Sequence, residues 1–144
     1  MTDAPRLDRQ VCFALYSASR AATALYRPLL EDLGLTYPQY LVMLVLWENE
    51  PRGVKELGEE LGLDSGTLSP LLKRLEALGL VERRRSGEDE RRVAIHLTPA
   101  GRELSSRAAG IPQRLAEAAG LSTAELDQLH STLERLTAAL HESR

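Results

Sequence analysis

The chain has 144 residues, a formal net charge of −3 and one cysteine. This length fits one domain with a moderate core, and the slightly acidic charge excludes a protein that binds nucleic acid over its whole surface. The single cysteine excludes an intramolecular disulfide. The N-terminal sequence MTDAPRLDRQ is polar, and the chain has no apolar run of about 18 residues. These features predict a cytoplasmic protein without a membrane span.

The N-terminal part of the sequence predicts two helices. The first covers residues 8–33, because its apolar side chains recur with the helical period. These positions are Val11, Leu15, Ala18, Ala22, Leu25 and Leu29. Thr36 and Gln39 form a predicted capping box for a second helix over residues 37–48, which is apolar on nearly all sides and is therefore expected to be buried. Residues 49–53 are predicted to be a loop.

The middle of the chain predicts a helix-turn-helix. Residues 54–63 have the pattern of a short helix, which Gly62 ends. Asp64 or Ser65 caps a second helix, which stops at Gly79. The inward face of this second helix is predicted to carry Leu68, Leu71, Leu72, Leu75 and Leu78. Two short helices joined by a tight turn are typical of a DNA-binding unit.

The apolar period then shortens to two residues, which predicts strands. Residues 80–85 and 91–97 form a predicted two-stranded hairpin, or wing, around a polar turn that contains Gly87. Thr98 caps a further helix over about residues 99–119. The fold class predicted up to this point is mainly α with a small β-wing.

The last predicted helix begins at a capping box formed by Ser122 and Glu125. Its leucines recur at the spacing of a coiled-coil stripe: Leu126, Leu129, Leu133, Leu136 and Leu140. This stripe and the apolar face of the first helix would be left uncovered in a monomer, so we expect a homodimer.

Hydroxyl and basic side chains opposite the leucines of the second helix of the pair are the candidate DNA-reading surface. They are Ser65, Thr67, Ser69, Lys73 and Arg74, and Pro70 lies on the same face. This face alone fits an ordinary solvated surface equally well. The wing favours DNA binding, because all its basic residues are arginines, which suit phosphate and minor-groove contacts. Its candidate contact residues are Arg84, Arg85, Asp89 and Arg91, with Asp89 bracing the hairpin tip against Arg91.

The stretch LDSGTLSPLLKRLEALGLVERRRSGEDERRVAIHLTPAG, with its Asp-Glu-Arg wing, resembles the MarR family of winged-helix regulators. The resemblance covers essentially the whole chain and implies a single MarR-type domain over residues 1–144. Residues 8–48 would hold a redox site, residues 54–97 the winged helix-turn-helix, and residues 98–144 dimerisation helices. It also implies a cytoplasmic transcriptional repressor that is not an enzyme and whose dimer binds a pseudo-palindromic double-stranded DNA operator.

The N-terminal sequence VCFALYSASR…LYRPLLEDLGLTYPQYLVMLVLWE is similar to the organic hydroperoxide-sensing branch of the MarR family. That resemblance implies that Cys12 is oxidised by an organic hydroperoxide and that Tyr26 and Tyr37 contact its sulfur. The chain lacks the resolving second cysteine of a two-cysteine branch, so it resembles the one-cysteine type. Without a resolving cysteine the oxidised sulfur must react with an external group, and we expect a low-molecular-weight thiol to cap it. The candidate residues of an apolar peroxide pocket are Phe13, Tyr16 and Tyr40.

The helical geometry limits how Cys12 can meet Tyr26. The two residues lie 14 positions apart, on nearly the same helix face but about 21 Å from each other along a straight helix. They therefore meet only if the helix breaks or if two such helices cross antiparallel in a dimer, as the family resemblance implies.

Other functions remain compatible with the sequence. One is a MarR-type repressor that a small phenolic or aromatic ligand releases from DNA, with Cys12 merely packed. Others are a one-cysteine thiol peroxidase, which would not need a DNA-reading wing, and a helical protein-interaction module built on the leucine stripe. A metal site or other cofactor is not expected, because His96, His130 and His141 lack ligand spacing with Cys12.

Overall fold

A computed structural model describes residues 4–85 and 92–144. The chain divides into two compact units, Met1–Ala109 and Gly110–Arg144. The first holds the predicted N-terminal helices, the winged unit and the helix that follows it, and the second holds the remaining C-terminal helices. The assignment of the whole chain to one domain stays a prediction. No helix in the described part of the chain is long and apolar enough to cross a membrane.

The first helix begins later than the sequence predicted. A short 3-10 helix over Leu7–Arg9 is separated by the extended Gln10 from helix α1, Val11–Glu31. Helix α1 is continuous over its 21 residues, and Leu30 near its C-terminal end is its buried residue. Most of its remaining apolar side chains are half-buried or exposed within one chain.

Helix α2, Tyr37–Glu48, confirms the predicted capping box, and it is largely buried as predicted except that Leu44 is 38 % exposed. The Thr36 side chain accepts a hydrogen bond from the Gln39 backbone N–H at 3.4 Å, and the Gln39 side chain accepts one from the Thr36 N–H at 2.9 Å. The side chains of Val42, Met43 and Leu46 are completely buried, so α2 is the central helix of the first unit. Side chains buried in this way are close-packed, and a close-packed interior transmits strain.

The helix-turn-helix forms as predicted. Helix α3 spans Val54–Leu61 and ends at Gly62, whose φ of 69° requires the left-handed backbone that glycine adopts freely. Helix α4 spans Ser65–Ala77, with Leu68, Leu72 and Leu75 buried. The predicted inward position of Leu78 is wrong: this residue follows the helix end, and its side chain is 52 % exposed.

The wing belongs to a sheet of three strands, where the sequence predicted two. Strands β2, Val81–Arg85, and β3, Val93–Leu97, form the predicted antiparallel hairpin, with Arg83 opposite Ile95. Strand β1, Arg52–Gly53, pairs with the other edge of β3, so the prediction of a loop over residues 49–53 is wrong there. Two residues are too few to show an alternating pattern, and the pairing comes from the open edge of β3.

The single helix predicted over residues 99–119 is also wrong, because the structure has two. Helix α5 spans Pro99–Ala108 and helix α6 spans Ile111–Ala119. Pro112 has no backbone N–H, and its ring crowds the carbonyl four residues earlier, so it is accommodated best in the first turn of a helix, where it stands in α6. The break at Gly110 coincides with the boundary between the two compact units.

Helix α7, Thr123–Glu142, has the predicted capping box: the Ser122 side chain accepts from the Glu125 N–H, and the Glu125 carboxylate accepts from the Ser122 N–H, both at 3.1 Å. Its leucine stripe is incompletely covered within the chain, with Leu129 and Leu140 being 45 % and 53 % exposed. An apolar stripe of this kind is suited to packing against another helix.

Candidate functional site

Helix α4 presents the predicted DNA-reading face. Asp64 caps the helix, and its carboxylate accepts a hydrogen bond from the Thr67 backbone N–H at 2.7 Å. Hydrogen bonds from Thr67 hold the pKa of the Asp64 carboxyl below its ordinary value. Because the capped first turn is held in helical form, the residues that follow keep fixed positions on the surface.

Most of the predicted contact residues of α4 are on the exposed face of the helix. The exposed residues are Ser65, Thr67, Pro70, Lys73 and Arg74, and Ser69 is half-buried. Small hydroxyls near the N-terminal end of such a helix can approach base edges, and cations further along can approach phosphates. The structure therefore brings these six residues to one helix of the winged unit.

Strand β2 carries the described part of the wing's arginines. Arg84 forms an ion pair with Glu82 at 2.6 Å, and a hydrogen bond from Arg84 lowers the pKa of the Glu82 carboxyl. Arg84 and Arg85 are both exposed. The predicted contact residues Asp89 and Arg91 lie outside the described residues, so their pairing and their DNA contacts stay predictions.

Arg83 has a structural role that the sequence did not reveal. One of its terminal nitrogens donates to the Ser69 carbonyl at 3.4 Å, and its backbone N–H donates to the Glu76 carboxylate at 3.3 Å. Its Nε is buried and has no hydrogen-bond partner within the described residues. The side chain thus connects strand β2 to helix α4. Successive side chains of a strand point to opposite faces, so the sequence signal for this role is that Arg83 lies on the opposite face of β2 from Arg84.

The two tyrosines predicted to contact the thiol lie together. The ring centroids of Tyr26 on α1 and Tyr37 on α2 are 5.0 Å apart, and Tyr40 completes the cluster at 5.9 Å from Tyr26 and 6.3 Å from Tyr37. Burial raises the pKa of Tyr26, and the neighbouring Tyr37 and Tyr40 phenols raise it further. Burial and Tyr37 also raise the pKa of Tyr40. These two phenols therefore stay protonated at neutral pH and can donate a hydrogen bond to an anion.

Cys12 lies at the other end of the same helix. Its thiol is exposed, at the second position of α1. Because α1 is an unbroken helix between Cys12 and Tyr26, the two side chains are about 21 Å apart within one chain. A single chain does not bring them together, so a Cys12–Tyr26 contact needs a second copy of the chain.

The predicted peroxide-pocket residues divide between these two places. Phe13 and Tyr16 lie near Cys12 and are 42 % and 60 % exposed, with the Arg20 guanidinium 5.5 Å from the Tyr16 ring centre. Tyr40 is 2 % exposed and belongs to the tyrosine cluster. Like the Cys12–Tyr26 contact, a pocket made from all three therefore requires two chains.

Sequence comparisons identify the family. The family model of the transcriptional regulator SarA/Rot matches residues 24–108. The organic hydroperoxide resistance transcriptional regulator of Bacillus subtilis (strain 168) is 49% identical over 140 residues, which cover 97% of this chain and 95% of the relative. The chain belongs to the SarA/Rot and MarR class of winged-helix transcriptional regulators. The predicted family and fold class are confirmed.

Two solved structures of a related winged-helix regulator, AbfR of Staphylococcus epidermidis, match the whole fold. Reduced AbfR bound to DNA has a TM-score of 0.79 and 37% identity, and the match covers 94% of each chain. Disulfide-formed AbfR has a TM-score of 0.67 and 38% identity, with 92% of this chain and 93% of the other covered. The fold of this winged-helix regulator is thus similar to that of a protein solved on DNA and in more than one redox state.

Proposed function

We propose that this regulator is a dimeric repressor that senses organic hydroperoxides through Cys12 and then releases a pseudo-palindromic DNA operator. The observation that carries the proposal is the pair Tyr26 and Tyr37, whose rings are 5.0 Å apart at the positions that match the thiol-contacting tyrosines of the hydroperoxide-sensing branch. The relative in Bacillus subtilis, named for organic hydroperoxide resistance, supports the same function.

The proposed sensing site forms across a dimer. Two copies of α1 that cross antiparallel bring Cys12 of one copy to the tyrosine cluster of the other, which removes the separation of about 21 Å within a chain. There the Tyr26 phenol, which its raised pKa keeps protonated, donates a hydrogen bond to the Cys12 sulfur. Such a donor favours the thiolate over the thiol and therefore favours the nucleophilic form.

The proposed chemistry is a two-electron oxidation of sulfur. The Cys12 thiolate attacks one oxygen of the hydroperoxide, the O–O bond breaks, and the alkoxide leaves and takes a proton to become an alcohol. Sulfur is oxidised to a sulfenic acid and the peroxide is reduced. A low-molecular-weight thiol then attacks this sulfur, an S–S bond forms, and the hydroxyl leaves with a proton as water.

Operator release follows from the bulk of this mixed disulfide. Half-sites on DNA are about 34 Å apart, so two α4 helices engage them together only at one spacing. A group inserted where two α1 helices cross changes that spacing and breaks simultaneous contact. In this scheme each peroxide molecule converts one Cys12 without turnover, so the proposed role is regulatory and not enzymatic. A protein with this role acts on DNA, and its proposed location is therefore the cytoplasm.

The test is a gel shift with operator DNA, a small thiol and a dose series of cumene hydroperoxide. Wild type is expected to release the operator, and Cys12→Ser is expected to bind DNA but to ignore the oxidant, because serine keeps the size of the side chain and lacks the thiolate. Tyr26→Phe and Tyr37→Phe each remove one donor, worth roughly 1.5–3 kcal/mol to a charged acceptor, and should slow oxidation without abolishing it.

A parallel dose series with hydrogen peroxide measures the preference for an organic substrate, and intact mass reports the state of Cys12 in each sample. If Cys12→Ser releases the operator at the same dose as wild type, the sensor is not Cys12 and a ligand-gated repressor becomes the better explanation.

A further inference from the structure

Helix α2 connects the tyrosine cluster to the base of the wing. Tyr37 and Tyr40 lie at its N-terminal end, against Tyr26. Trp47 lies at its C-terminal end, with its ring centroid 6.3 Å from that of Tyr40 and an interplanar angle of 67°. The aromatic rings therefore form a continuous row along a helix whose Val42, Met43 and Leu46 side chains are completely buried.

Trp47 reaches beyond its own helix through one hydrogen bond. Its indole Nε1–H donates to the backbone carbonyl of Gly101, in the first turn of α5, at 2.9 Å. Indole has this single donor and no acceptor, so the bond fixes the orientation of the ring. Trp47 thus connects α2 directly to the backbone of α5.

The backbone at Gly101 is packed against the junction between α4 and the wing. A Cβ on Gly101 would lie 2.1 Å from the Leu80 carbonyl oxygen, so the two backbones touch and only glycine fits. Leu80 stands between α4 and β2. Thr98 strengthens the contact, since its N–H donates to the Leu80 carbonyl at 3.1 Å and its hydroxyl donates to the Gly79 carbonyl at 2.6 Å. The first turn of α5 is therefore in direct backbone contact with the junction between helix α4 and the wing.

We infer that Trp47 is a positioning residue, which transmits the change at the tyrosine cluster to the winged helix-turn-helix through its hydrogen bond to Gly101. The inference rests on the proposed function, because it takes oxidation of Cys12 as the initiating event. Modification at the cluster displaces the N-terminal end of α2, and the close packing of α2 carries that displacement to Trp47. Coupling of this kind requires a contact that both sites bias, and the Trp47–Gly101 bond is that contact.

Trp47→Phe tests the bond while it keeps an aromatic ring against Tyr40. The quantity measured is the ratio of operator dissociation constants for oxidised and reduced protein, with the fraction of modified Cys12 matched by intact mass. We expect this ratio to fall at least tenfold relative to wild type, which corresponds to about 1.4 kcal/mol of coupling. A Trp47→Phe ratio equal to that of wild type would overturn the inference.

Arg107→Met is the matched control. Arg107 also anchors α5 to the N-terminal helices, through a hydrogen bond to the Asp32 carbonyl at 2.6 Å, but it does so without α2. It should keep the wild-type ratio. An equal loss in both variants would overturn the inference, because coupling would then depend on the general anchoring of α5. If wild type itself is not oxidised at Cys12 or does not release DNA, it is the proposed function that fails.

A second measurement uses wild type alone and does not depend on the folding of a variant. Trp47 is the only tryptophan in the chain, so tryptophan emission reports this one ring. The emission of fully modified protein should differ from that of reduced protein, in step with operator release, and Cys12→Ser should show no change on treatment. Unchanged emission from wild type that has released its operator would overturn the inference.

Discussion

Gly101→Ala should destabilise the protein although it places alanine, a better helix former, in the first turn of α5. The added Cβ would meet the Leu80 carbonyl oxygen at 2.1 Å and the Leu80 carbonyl carbon at 3.1 Å. Carbon and oxygen in weak contact normally stay about 3.3 Å apart, so the two backbones must separate by more than about 1 Å. That separation also strains the bonds that Thr98 and Trp47 make at this place.

The magnitude follows from two opposing terms. Overpacking a well-filled core costs about 1–3 kcal/mol, and a clash between two backbones belongs at the upper end because neither can rotate away. The gain in helix propensity returns at most about 1 kcal/mol. The expected loss in the free energy of unfolding is therefore about 2 kcal/mol, or roughly 6–8 °C in Tm for a chain of this size.

Thermal unfolding followed by circular dichroism, at one protein concentration for all variants, measures this effect. The matched control is Gly110→Ala, because a Cβ there has nothing within 4 Å and the backbone φ of −86° suits alanine. That variant should be unchanged or should gain up to about 1 kcal/mol. Gly101→Ala melting at or above the wild-type temperature would refute the argument that this close approach requires glycine.

Two further outcomes follow from helix α4. Lys73→Ala should weaken binding to all DNA sequences alike and should reduce the slope of the logarithm of the DNA association constant against the logarithm of the salt concentration by about one unit. The control variant Arg135→Ala, on α7, should leave that slope unchanged. Equal slopes for Lys73→Ala and wild type would exclude a phosphate contact. Asp64→Asn should be less stable than wild type near neutral pH, with the difference in Tm shrinking as the solution is acidified. The folded-state pKa of Asp64 lies below its ordinary value, so its contribution is present above the unfolded-state pKa and is lost as the pH falls through the folded-state value. A difference in Tm that does not change with pH would contradict the assigned cap.

The sequence was sufficient at several helix ends, where the structure is decided by short local signals. The capping box at Thr36 and the stop at Gly62 are signals a few residues long, and both were predicted correctly. Strand β1 was missed because Arg52 and Gly53 are extended by pairing with β3, about 40 residues further along the chain. The break between α5 and α6 was missed although Gly110 and Pro112 stand in the sequence, because a proline does not by itself end a helix: Pro28 lies inside the continuous helix α1.

The candidate site was predicted less completely than the fold. The grouping of Tyr26 with Tyr37 agrees with the structure, and Tyr40 proved to be part of the same cluster. The hydrogen bond of Trp47 to Gly101 joins residues 54 positions apart, and no periodic pattern reveals such a contact. Contacts between distant backbones depend on how whole elements pack, which composition and spacing do not specify.

The strand order β1-β3-β2 has a consequence for solubility. β3 is enclosed on both sides, so the outer edges of the sheet belong to β1, which has two residues, and to β2, which carries Arg83, Arg84 and Arg85. Very short or charged edge strands resist pairing with the strands of other molecules, the first step of many aggregation reactions. Arg84 and Arg85, the exposed arginines of β2 that are candidate DNA contacts, thus also protect the free protein from edge-to-edge aggregation. Neutralising them to test DNA binding removes that protection, so the concentration of soluble protein must be measured beside its affinity.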